Sequence, residues 1–380
     1  MLDYTKGILR LRGEKMTNRI ETLFTEMKAA DLDSMLVTSS ANVYYLSNYL
    51  TDPHERVIAI YISTTLNPIL VLPNMEKDDA IAAGWSHEII GYHDHEDPWM
   101  LFKTALHKND KIPCAIGIEY DQMTMDRYNA VTTILPNTAV KDAKEILANL
   151  RVIKSKKEYT ILKQAADLAD FGIETGIKAI TEGTREIDII ATIEYKLKKQ
   201  GVQGMSFSTM ALSGAKTASP HGNPGMKKIE KGDMVLFDLG VVYEGYCSDI
   251  TRTVAYKSVT DEQKKIYQTV LVAEQKAIDI SKIGTAVDQV DLAAREHIEA
   301  AGYGKYFTHR IGHGLGIETH EYPSMHSKND LALKEGMCYT IEPGIYVPGS
   351  GGVRIEDMVY MTDKGPEILT ESPRELRIIE

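Results

Sequence analysis

Carboxylates inside apolar segments are the feature of the second half of the chain that most restricts its fold. Asp238 follows the apolar run MVLF, and Asp249 stands eleven residues later in a second strand-like run. A buried carboxylate without a partner is unfavourable, so the fold must supply a partner for each of these side chains. The two acids therefore predict a polar site enclosed by apolar strands.

The sequence between the two acids predicts how they are paired. Glu244-Gly245 is typical of a two-residue hairpin turn. In the register that such a turn imposes, Asp238 faces Thr251, and Asp249 is its diagonal neighbour on the same face of the sheet. Diagonal positions lie about 7–8 Å apart. Two carboxylates at that spacing repel each other unless a cation lies between them, so the hairpin predicts a cation site.

Histidines and further acids follow later in the chain. Residues 309–320 contain three histidines, and the glycines on both sides of the central one, His313, let the backbone approach another group closely. Glu342 and Glu356 add carboxylates in apolar strands, and Arg354 shares a strand face with Glu356. The predicted site therefore combines several carboxylates with at least one imidazole.

The charges of this set predict the number and kind of bound ions. The four acids carry four negative charges, and His313 is neutral when it serves as a ligand. One divalent ion would leave a large negative excess, whereas two would neutralise the set. Ligation that is rich in oxygen and includes one imidazole suits Mn²⁺, Co²⁺ or Fe²⁺, with Zn²⁺ also open. We predict two divalent metal ions, with Mn²⁺ as the first choice.

Composition and charge exclude several classes of function. The net charge is −11 and no block rich in Lys and Arg stands out, which argues against a nucleic-acid partner. No apolar stretch approaches the length of about 18 residues that a membrane-spanning helix needs, so we expect no membrane partner. The three cysteines form no CxxC pair, which indicates neither a zinc framework nor a disulfide scaffold and fits a reducing cytoplasm.

The length of 380 residues suggests two domains. In the first part, short apolar runs alternate with helical patterns, which predicts an α/β layer on a mixed or parallel sheet. Asp97 fits the N-cap of a helix, and the histidine-rich segment before it fits a solvated loop. The predicted strands are Ser34–Thr38, Val57–Ile62, Ile69–Leu72 and Ala115–Ile118, and the predicted helices are 75–84, 97–107 and 123–133.

The domain boundary is predicted near residues 150–157. Ser155 and Glu158 form a capping box that starts a long amphipathic helix. The second part is predicted to be α+β, with helices segregated from antiparallel strands. Its further helices are predicted at 185–200, 260–281 and 285–301, and its strands at Met234–Val242, Tyr246–Ala255, Tyr339–Ile341 and Val353–Met361.

The first fifteen residues stand apart from the rest of the chain. A helical pattern starts only after Met16, and Gly13-Glu14-Lys15 could be encoded by a purine-rich run that resembles a bacterial ribosome-binding site. We predict that Met16 is the native start and that residues 1–15 are a non-native or disordered extension. A frayed N-terminal helix is the alternative.

Taken together, the chemical motifs resemble the metal-binding signature of the pita-bread metallopeptidases, which include methionine aminopeptidase, aminopeptidase P and prolidase. The motifs, in chain order, are FDLG, SDITRT, HRIGHGLG with THE, IEPG and GGVRIED. A first domain of this length is expected for aminopeptidase P, prolidase and creatinase, and the intact ligand set argues against creatinase. The runs TDPHER, HDHEDPW and HRIGHGLGIETHEYPS are similar to those of bacterial Xaa-Pro dipeptidases (prolidases), which extends the resemblance over nearly all of residues 17–380.

The resemblance implies a fold and a function. The expected fold is α+β, with a C-terminal pita-bread catalytic domain at 151–380 preceded by a smaller creatinase-like α/β domain at 16–150. The expected protein is a cytoplasmic, homodimeric metallopeptidase that hydrolyses Xaa-Pro dipeptides by attack of a metal-bridging hydroxide. The alternatives are an aminopeptidase P, which acts on longer Xaa-Pro peptides, and a metal-free, non-catalytic binding protein of the same fold.

The resemblance also implies roles for the five ligands. Asp238 would bind one ion, and Asp249 and Glu356 would bridge both ions. His313 and Glu342 would complete the shell of the second ion, and Glu342 would also act as the proton shuttle beside the bridging water. A structural role is the alternative for Asp238 and Asp249, one of which would then pair with Arg252.

Further residues are expected to contact the substrate. By the resemblance, His320 and His221 would stabilise the oxyanion that develops on the peptide carbonyl. A dipeptidase must also bind a free carboxylate, which suits the planar fork of an arginine, and Arg310 and Arg354 lie near the ligands in sequence. Arg354 could instead hold a nearby carboxylate. His309 is a further candidate for substrate binding, with a packing role as the alternative.

Two more candidates for substrate binding, His54 and Arg56, lie in the first domain and far from the ligands along the chain. We hypothesise that the Asp52–Arg56 loop reaches the site of a neighbouring subunit in a homodimer. In that position the loop would limit the length of the peptide substrate.

Overall fold

The structure is a computed structural model, and it describes residues 19–108 and 112–380. The chain divides into two compact units after Leu150. The extension predicted at residues 1–15 and the start predicted at Met16 lie outside the described residues, so both stay predictions. Within the described residues, no helix combines the length and the apolar character that crossing a lipid bilayer requires.

The first unit alternates strands and helices around one sheet. Its elements are α1 (19–29), β1 (Ser34–Val37), α2 (Ser40–Ser47), β2 (Ala59–Ser63), β3 (Ile69–Pro73), a 3₁₀ turn (Asn74–Glu76), α3 (Lys77–Ala82), β4 (Glu88–Tyr92), α4 (Pro98–Lys108), β5 (Ala115–Ile118), α5 (Met125–Ile134), β6 (Ala139–Asp142) and α6 (Lys144–Val152), which runs across the boundary. The strand order is β4-β3-β2-β1-β5-β6. β2 pairs antiparallel with β1 and β3, whereas the other neighbours are parallel, so of the two predicted possibilities, a mixed or a parallel sheet, the mixed sheet is found.

Four elements of the first unit, β4, β6, α2 and α6, were not predicted from the sequence. β6 is mostly exposed and carries Lys141 and Asp142, so it lacks the apolar pattern by which a buried strand is found. β4 is only partly buried. α2 contains valine and two tyrosines, which favour strands, but Ser39 starts a helix there because its side chain accepts a hydrogen bond from the backbone of Asn42.

The second unit places four long helices on antiparallel strands. Its elements are α7 (Lys156–Lys178), α8 (Glu186–Lys199), β7 (Gly204–Met205), β8 (Met210–Ser213), a 3₁₀ turn (Gly214–Ala218), β9 (Met234–Leu239), β10 (Val241–Tyr243), β11 (Tyr246–Cys247), β12 (Ile250–Tyr256), α9 (Asp261–Ile280), α10 (Val287–Ala300), a 3₁₀ turn (Gly304–Tyr306), β13 (Gly312–Gly314), β14 (Glu321–Met325), β15 (Cys338–Ile341), β16 (Gly344–Val347), β17 (Gly351–Arg354), β18 (Asp357–Thr362), β19 (Gly365–Ile368) and β20 (Ile378–Ile379). The predicted capping box of Ser155 and Glu158 starts α7.

Two sheets form the framework of the second unit. One has the order β20-β12-β9-β8, and the other has the order β14-β13-β15-β18-β19. Apolar side chains of α7 and α8, such as Ile173 and Ile193, share a core with Phe237 of β9. α9 and α10 contribute to a second core beneath β15 and β18. The helices are thus segregated from largely antiparallel strands, as the sequence predicted.

The hairpin between β9 and β12 has the predicted register. Glu244 and Gly245 have φ values of 44° and 79°, which suits a two-residue type I′ turn. Asp238 lies directly opposite Thr251. The hairpin bends at Gly240, where an added Cβ would meet the carbonyl oxygen of Ser248 at 1.8 Å, so only glycine permits this approach. Because of the bend, the tip of the hairpin joins a separate small sheet, and the chain re-enters the main sheet immediately after Asp249.

Candidate metal centre and its surroundings

The five predicted ligands come from the ends of strands that meet between the two main sheets. An isolated bridge between Thr251 and Glu356 joins the hairpin to the segment that links β17 and β18. The positions of the ligands are Asp238 in β9, Asp249 before β12, His313 in β13, Glu342 after β15 and Glu356 between β17 and β18. The topology therefore collects residues that are up to 118 positions apart in the sequence.

Donor atoms from three of these side chains lie close together. Asp249, His313 and Glu356 are buried, and each offers one ligand atom within 4.8 Å of the others. The Nε2 atom of His313 lies 3.7 Å from Oδ2 of Asp249 and 3.6 Å from Oε1 of Glu342. Bonds of about 2.0–2.2 Å between a metal and its ligands place neighbouring donor atoms about 3–3.5 Å apart. The donors thus have nearly the separation that a shared cation would give them.

His313 is oriented as a neutral ligand. Its Nδ1–H donates to the carbonyl oxygen of Gly314 over 3.1 Å, which leaves Nε2 to face the carboxylates. Burial, with a smaller contribution from the nearby His320, lowers the pKa of His313 to about 3. The imidazole is therefore uncharged at neutral pH, and its free nitrogen lone pair can bind a metal ion.

The carboxylates destabilise one another in the absence of a cation. Burial raises the pKa of Asp249 and of Glu356 well above the usual values, and repulsion from neighbouring carboxylates, Glu342 among them, adds to the effect. Burial also raises the pKa of Glu342 to about 8, with a contribution from Asp238. Such a set of buried acids needs positive charge or protons in its middle.

Unused oxygen atoms test whether the site fits a metal ion. Oδ1 of Asp238 and Oδ1 of Asp249 are buried, and within the described part of the chain neither has a hydrogen-bond partner. Buried polar atoms without a partner are rare in folded proteins, and a role as metal ligands explains them. The donor set and these oxygens therefore fit a divalent cation.

Arg354 occupies a position that changes the charge balance. It is 4% exposed, and its guanidinium donates to Asp238, to the hydroxyl of Tyr346 over 2.9 Å and to Oγ1 of Thr251 over 3.0 Å. This geometry does not favour the predicted contact with a substrate carboxylate, because the fork is buried among protein acceptors. It also adds a positive charge that the prediction of two ions did not count, so charge balance alone no longer selects two ions over one.

Thr251 is a residue of the site that the sequence reasoning missed. Its hydroxyl donates to Oε2 of Glu356 over 2.7 Å and accepts from Arg354. The hydroxyl thus fixes the orientation of a ligand from the strand opposite Asp238. The hairpin register had already predicted that Thr251 lies opposite Asp238. That position was the sequence signal by which Thr251 could have been identified as a residue of the site. The alternative of a structural pair between an aspartate and an arginine of β12 is not found, since Arg252 instead donates to Asp357.

The predicted catalytic histidines lie beside the ligands and are exposed. The ring of His320 contacts that of His313 edge to face, with centroids 4.1 Å apart. Burial raises the pKa of Asp238, whereas the proximity of Arg354, His221 and His320 opposes that rise. Both histidines are therefore close to the carboxylates and open to solvent, where a substrate can meet them.

The other predicted substrate contacts differ in how far the structure supports them. His309 is largely enclosed, with Nδ1 donating to the carbonyl oxygen of Arg310 and Nε2 facing the hydroxyl of Tyr346 at 2.9 Å. Burial lowers the pKa of His309 to about 4, so its imidazole is neutral at pH 7, which favours the packing role over substrate binding. Arg310 is half-buried and donates to the hydroxyl of Ser324 over 2.8 Å.

In the first unit, an ion pair joins the Asp52–Arg56 loop to the histidine-rich segment that precedes Asp97. Arg56 donates to Asp94 with both Nε and Nη2, over 2.9 Å and 3.3 Å. His54 is exposed and has a φ of 53°. The segment around Asp94 is solvated as predicted, and Asp97 caps α4 through the backbone of Trp99. The guanidinium of Arg56 is thus already engaged by a carboxylate.

Comparison with known proteins agrees with this arrangement. Residues 160–363 match metallopeptidase family M24, and residues 19–153 match the creatinase/prolidase N-terminal domain. YkvY of Bacillus subtilis (strain 168) is 50% identical over 362 residues, 95% of this chain and 100% of its own length. An Xaa-Pro dipeptidase of Lactobacillus delbrueckii subsp. lactis is 39% identical over 350 residues, 92% of this chain and 95% of that relative.

Solved structures give the same result. An Xaa-Pro dipeptidase from Bacillus anthracis has a TM-score of 0.89 and 34% identity, covering 96% of this chain and 99% of that one. An X-Pro aminopeptidase from Thermotoga maritima MSB8 has a TM-score of 0.83 and 30% identity, covering 92% and 98%. The predicted creatinase-like domain followed by a pita-bread domain is confirmed as the fold, and so is the prediction of a metallopeptidase. The chain belongs to metallopeptidase family M24, in the branch that carries a creatinase/prolidase N-terminal domain.

Proposed function

We propose that this enzyme hydrolyses Xaa-Pro dipeptides with two divalent metal ions, preferably Mn²⁺, held by Asp238, Asp249, His313, Glu342 and Glu356. The observation that supports the metal site is that buried donor atoms lie within 4.8 Å of one another, next to carboxylate oxygens with no hydrogen-bond partner among the described residues. The similarity to an Xaa-Pro dipeptidase over 92% of the chain supports the substrate class. The enzyme is proposed to work as a cytoplasmic homodimer.

The bound ions would lower the pKa of a water molecule, so that hydroxide is available at neutral pH to attack the peptide carbonyl. Glu342 is proposed to take a proton and deliver it to the leaving nitrogen. Its side chain is 17% exposed, whereas those of His313 and Asp249 are 3% and 6% exposed, so Glu342 is the better placed of the three to exchange protons with a substrate.

His221 and His320 are proposed to donate hydrogen bonds to the oxygen on which negative charge develops. The nitrogen that leaves in an Xaa-Pro substrate belongs to proline and carries no N–H in the peptide, so recognition falls on the carbonyl and on the free carboxylate. With Arg354 engaged under the site, Arg310 is the arginine that we propose for the carboxylate. Arg310 donates from Nη1 to the hydroxyl of Ser324, and we propose that its other N–H groups bind the substrate carboxylate.

The Asp52–Arg56 loop is proposed to enter the site of the neighbouring subunit and to exclude longer peptides. Since Arg56 is held by Asp94, the loop would act through its tip, including His54, rather than through a free guanidinium. The competing function, release of an N-terminal residue from longer Xaa-Pro peptides, is favoured by the similarity to an X-Pro aminopeptidase. The metal-free binding protein is disfavoured, because no ligand has been lost.

A metal-reconstitution experiment tests the proposal. The purified protein is stripped with a chelator, reloaded with Mn²⁺, Co²⁺ or Zn²⁺, and assayed with Ala-Pro and Ala-Pro-Ala while bound metal is counted. We expect activity on Ala-Pro only after reloading, with two ions per chain and little cleavage of Ala-Pro-Ala. Faster cleavage of the tripeptide would establish the aminopeptidase instead. Full activity of the stripped protein or of Asp249→Ala would overturn the metal mechanism.

A further inference from the structure

The loop that carries His221 is held at both ends by one buried carboxylate. This loop, residues 213–225, is here named the His221 loop. Glu186, the first residue of α8, is 1% exposed. Its Oε1 atom accepts from the backbone N–H and the hydroxyl of Ser213, over 2.8 Å and 3.0 Å. Its Oε2 atom accepts from the ammonium of Lys216 and from the backbone N–H of Gly225, the latter over 2.9 Å.

The middle of the loop depends on these anchors. The backbone N–H groups of Ser219 and Gly222 donate to carbonyl oxygens of Lys216 and Ser219, so their hydrogen bonds stay inside the loop. The hydroxyl of Thr217 accepts from the backbone N–H of Gly352, in the strand that ends at Arg354. His221 lies between this contact and the Gly225 anchor, and its own side chain is exposed.

We propose that Glu186 is a positioning residue, which acts on catalysis by holding the His221 loop so that His221 reaches the reacting carbonyl. This inference rests on the proposed role of His221. A carboxylate suits the task because it is an acceptor at both oxygens and can hold both ends of the loop at once. An amide has only one acceptor oxygen, so its NH₂ group would face donors at one end of the loop and release that end.

The location of Glu186 separates this role from metal binding. The side chain contacts residues before and after His221, and its four hydrogen bonds come from Ser213, Lys216 and Gly225, none of which is among the five proposed ligands. Its backbone N–H donates to the carbonyl oxygen of Lys227, which keeps the start of α8 beside the loop even when the side chain is altered. A change at Glu186 should therefore alter the rate of the chemical step and leave the bound metal in place.

A double-mutant cycle tests the proposal on the metal-loaded enzyme with Ala-Pro. The proteins compared are the wild type, Glu186→Gln, His221→Ala and the double variant. Removing one oxyanion donor typically lowers kcat by about 10²–10³-fold, which is the loss expected for His221→Ala. We expect Glu186→Gln to lower kcat at least tenfold, to keep the visible absorption spectrum of the Co²⁺-loaded form, and to add less than twofold to the loss in His221→Ala.

Controls distinguish the possible failures. Asp188→Asn changes a more exposed carboxylate in the same helical turn, which pairs with Arg185 and not with the loop, and should keep kcat. Losses that multiply in the double variant, or an unchanged kcat in Glu186→Gln, would overturn the positioning role. A fully active His221→Ala would instead overturn the proposed role of His221. If Glu186→Gln does not fold, Lys216→Ala, which removes one anchor at the loop's first end, gives the same cycle with the same criteria.

Discussion

Replacing Glu321 by Gln tests whether buried charge holds the segment that carries His320. The side chain of Glu321 is 4% exposed and accepts hydrogen bonds from Arg151 and from Lys154, the latter over 3.0 Å. Burial by itself would raise the pKa of Glu321, but attraction to Lys154 and Arg151 outweighs it and lowers the pKa to about 2. The carboxylate also accepts from the backbone N–H of Glu318 over 3.0 Å, which closes the loop around His320.

The sign and size of the effect follow from proton linkage. The folded-state pKa of Glu321 lies below the ordinary value of 4.5, so its stabilisation is complete well above pH 4.5 and is lost as the pH falls towards about 2. At about 1.36 kcal/mol for each pH unit, the difference corresponds to about 3 kcal/mol at pH 7, of which about 2 kcal/mol is lost by pH 3. The variant lacks this group and should lose about 3–5 kcal/mol at pH 7, because the buried Lys154 loses its carboxylate partner and the buried Arg151 keeps Glu318 but loses Glu321.

Urea unfolding of metal-free protein at pH 7 and pH 3 measures the effect. Both tryptophans, Trp85 and Trp99, lie in the first unit, so tryptophan fluorescence reports the unfolding of that unit. A circular-dichroism transition that occurs without a change in fluorescence then reports the unfolding of the second unit. We expect the gap in unfolding free energy between wild type and Glu321→Gln to shrink by about 2 kcal/mol from pH 7 to pH 3. Glu318→Gln, at a side chain 48% exposed, is the control and should cost far less. A gap that stays the same at both pH values would refute the reasoning.

Three further changes probe the site and the first unit. Thr251→Val removes the hydroxyl that orients Glu356 and should weaken metal binding about 10–100-fold in a competition titration with a chelating dye; unchanged affinity would contradict the assigned orientation. Gly240→Ala forces a Cβ against Ser248 and should lower the thermal unfolding temperature of the second unit, whereas a wild-type temperature would mean that the hairpin bends without strain. Arg56→Ala frees the Asp52–Arg56 loop and should reduce the preference for Ala-Pro over Ala-Pro-Ala, and an unchanged preference would remove the loop from the specificity mechanism.

The sequence predicted the parts of the site that depend on local rules. The turn at Glu244-Gly245 determines the register that sets Asp238 opposite Thr251, because a two-residue hairpin leaves no freedom in the pairing. Glycines around His313 and the acids in apolar strands could be recognised in the same way. The bridge between Thr251 and Glu356 brings these parts of the site together. It is a contact between two sheets, made by residues more than 100 positions apart in the chain, and no local rule predicts it.

The role of buried charges was the least predictable part. Arg354 was proposed to read a substrate carboxylate because an arginine near ligands suits that task, yet folding buries it against Asp238. Glu186 was not singled out from the sequence, where an acid in the first turn of a helix is already explained by the helix dipole. Its partners are 27 to 39 residues away, so only the folded chain brings Ser213 and Gly225 to the same carboxylate.

The raised pKa values of the acids predict that metal binding displaces protons. Burial raises the pKa of Glu342 to about 8, so the metal-free site holds a proton there at pH 7. Burial, with repulsion from neighbouring carboxylates, also raises the pKa of Asp249 and of Glu356 well above the usual values. A divalent cation binds the deprotonated form, so it must release bound protons, and its affinity must fall as the pH falls. Adding Mn²⁺ to chelator-treated protein in weakly buffered solution at pH 7 should therefore release about one or more protons per chain. Glu318→Gln should release the same amount and Glu356→Gln less. Binding without proton release would mean that the carboxylates are already ionised, with Arg354 alone compensating their charge.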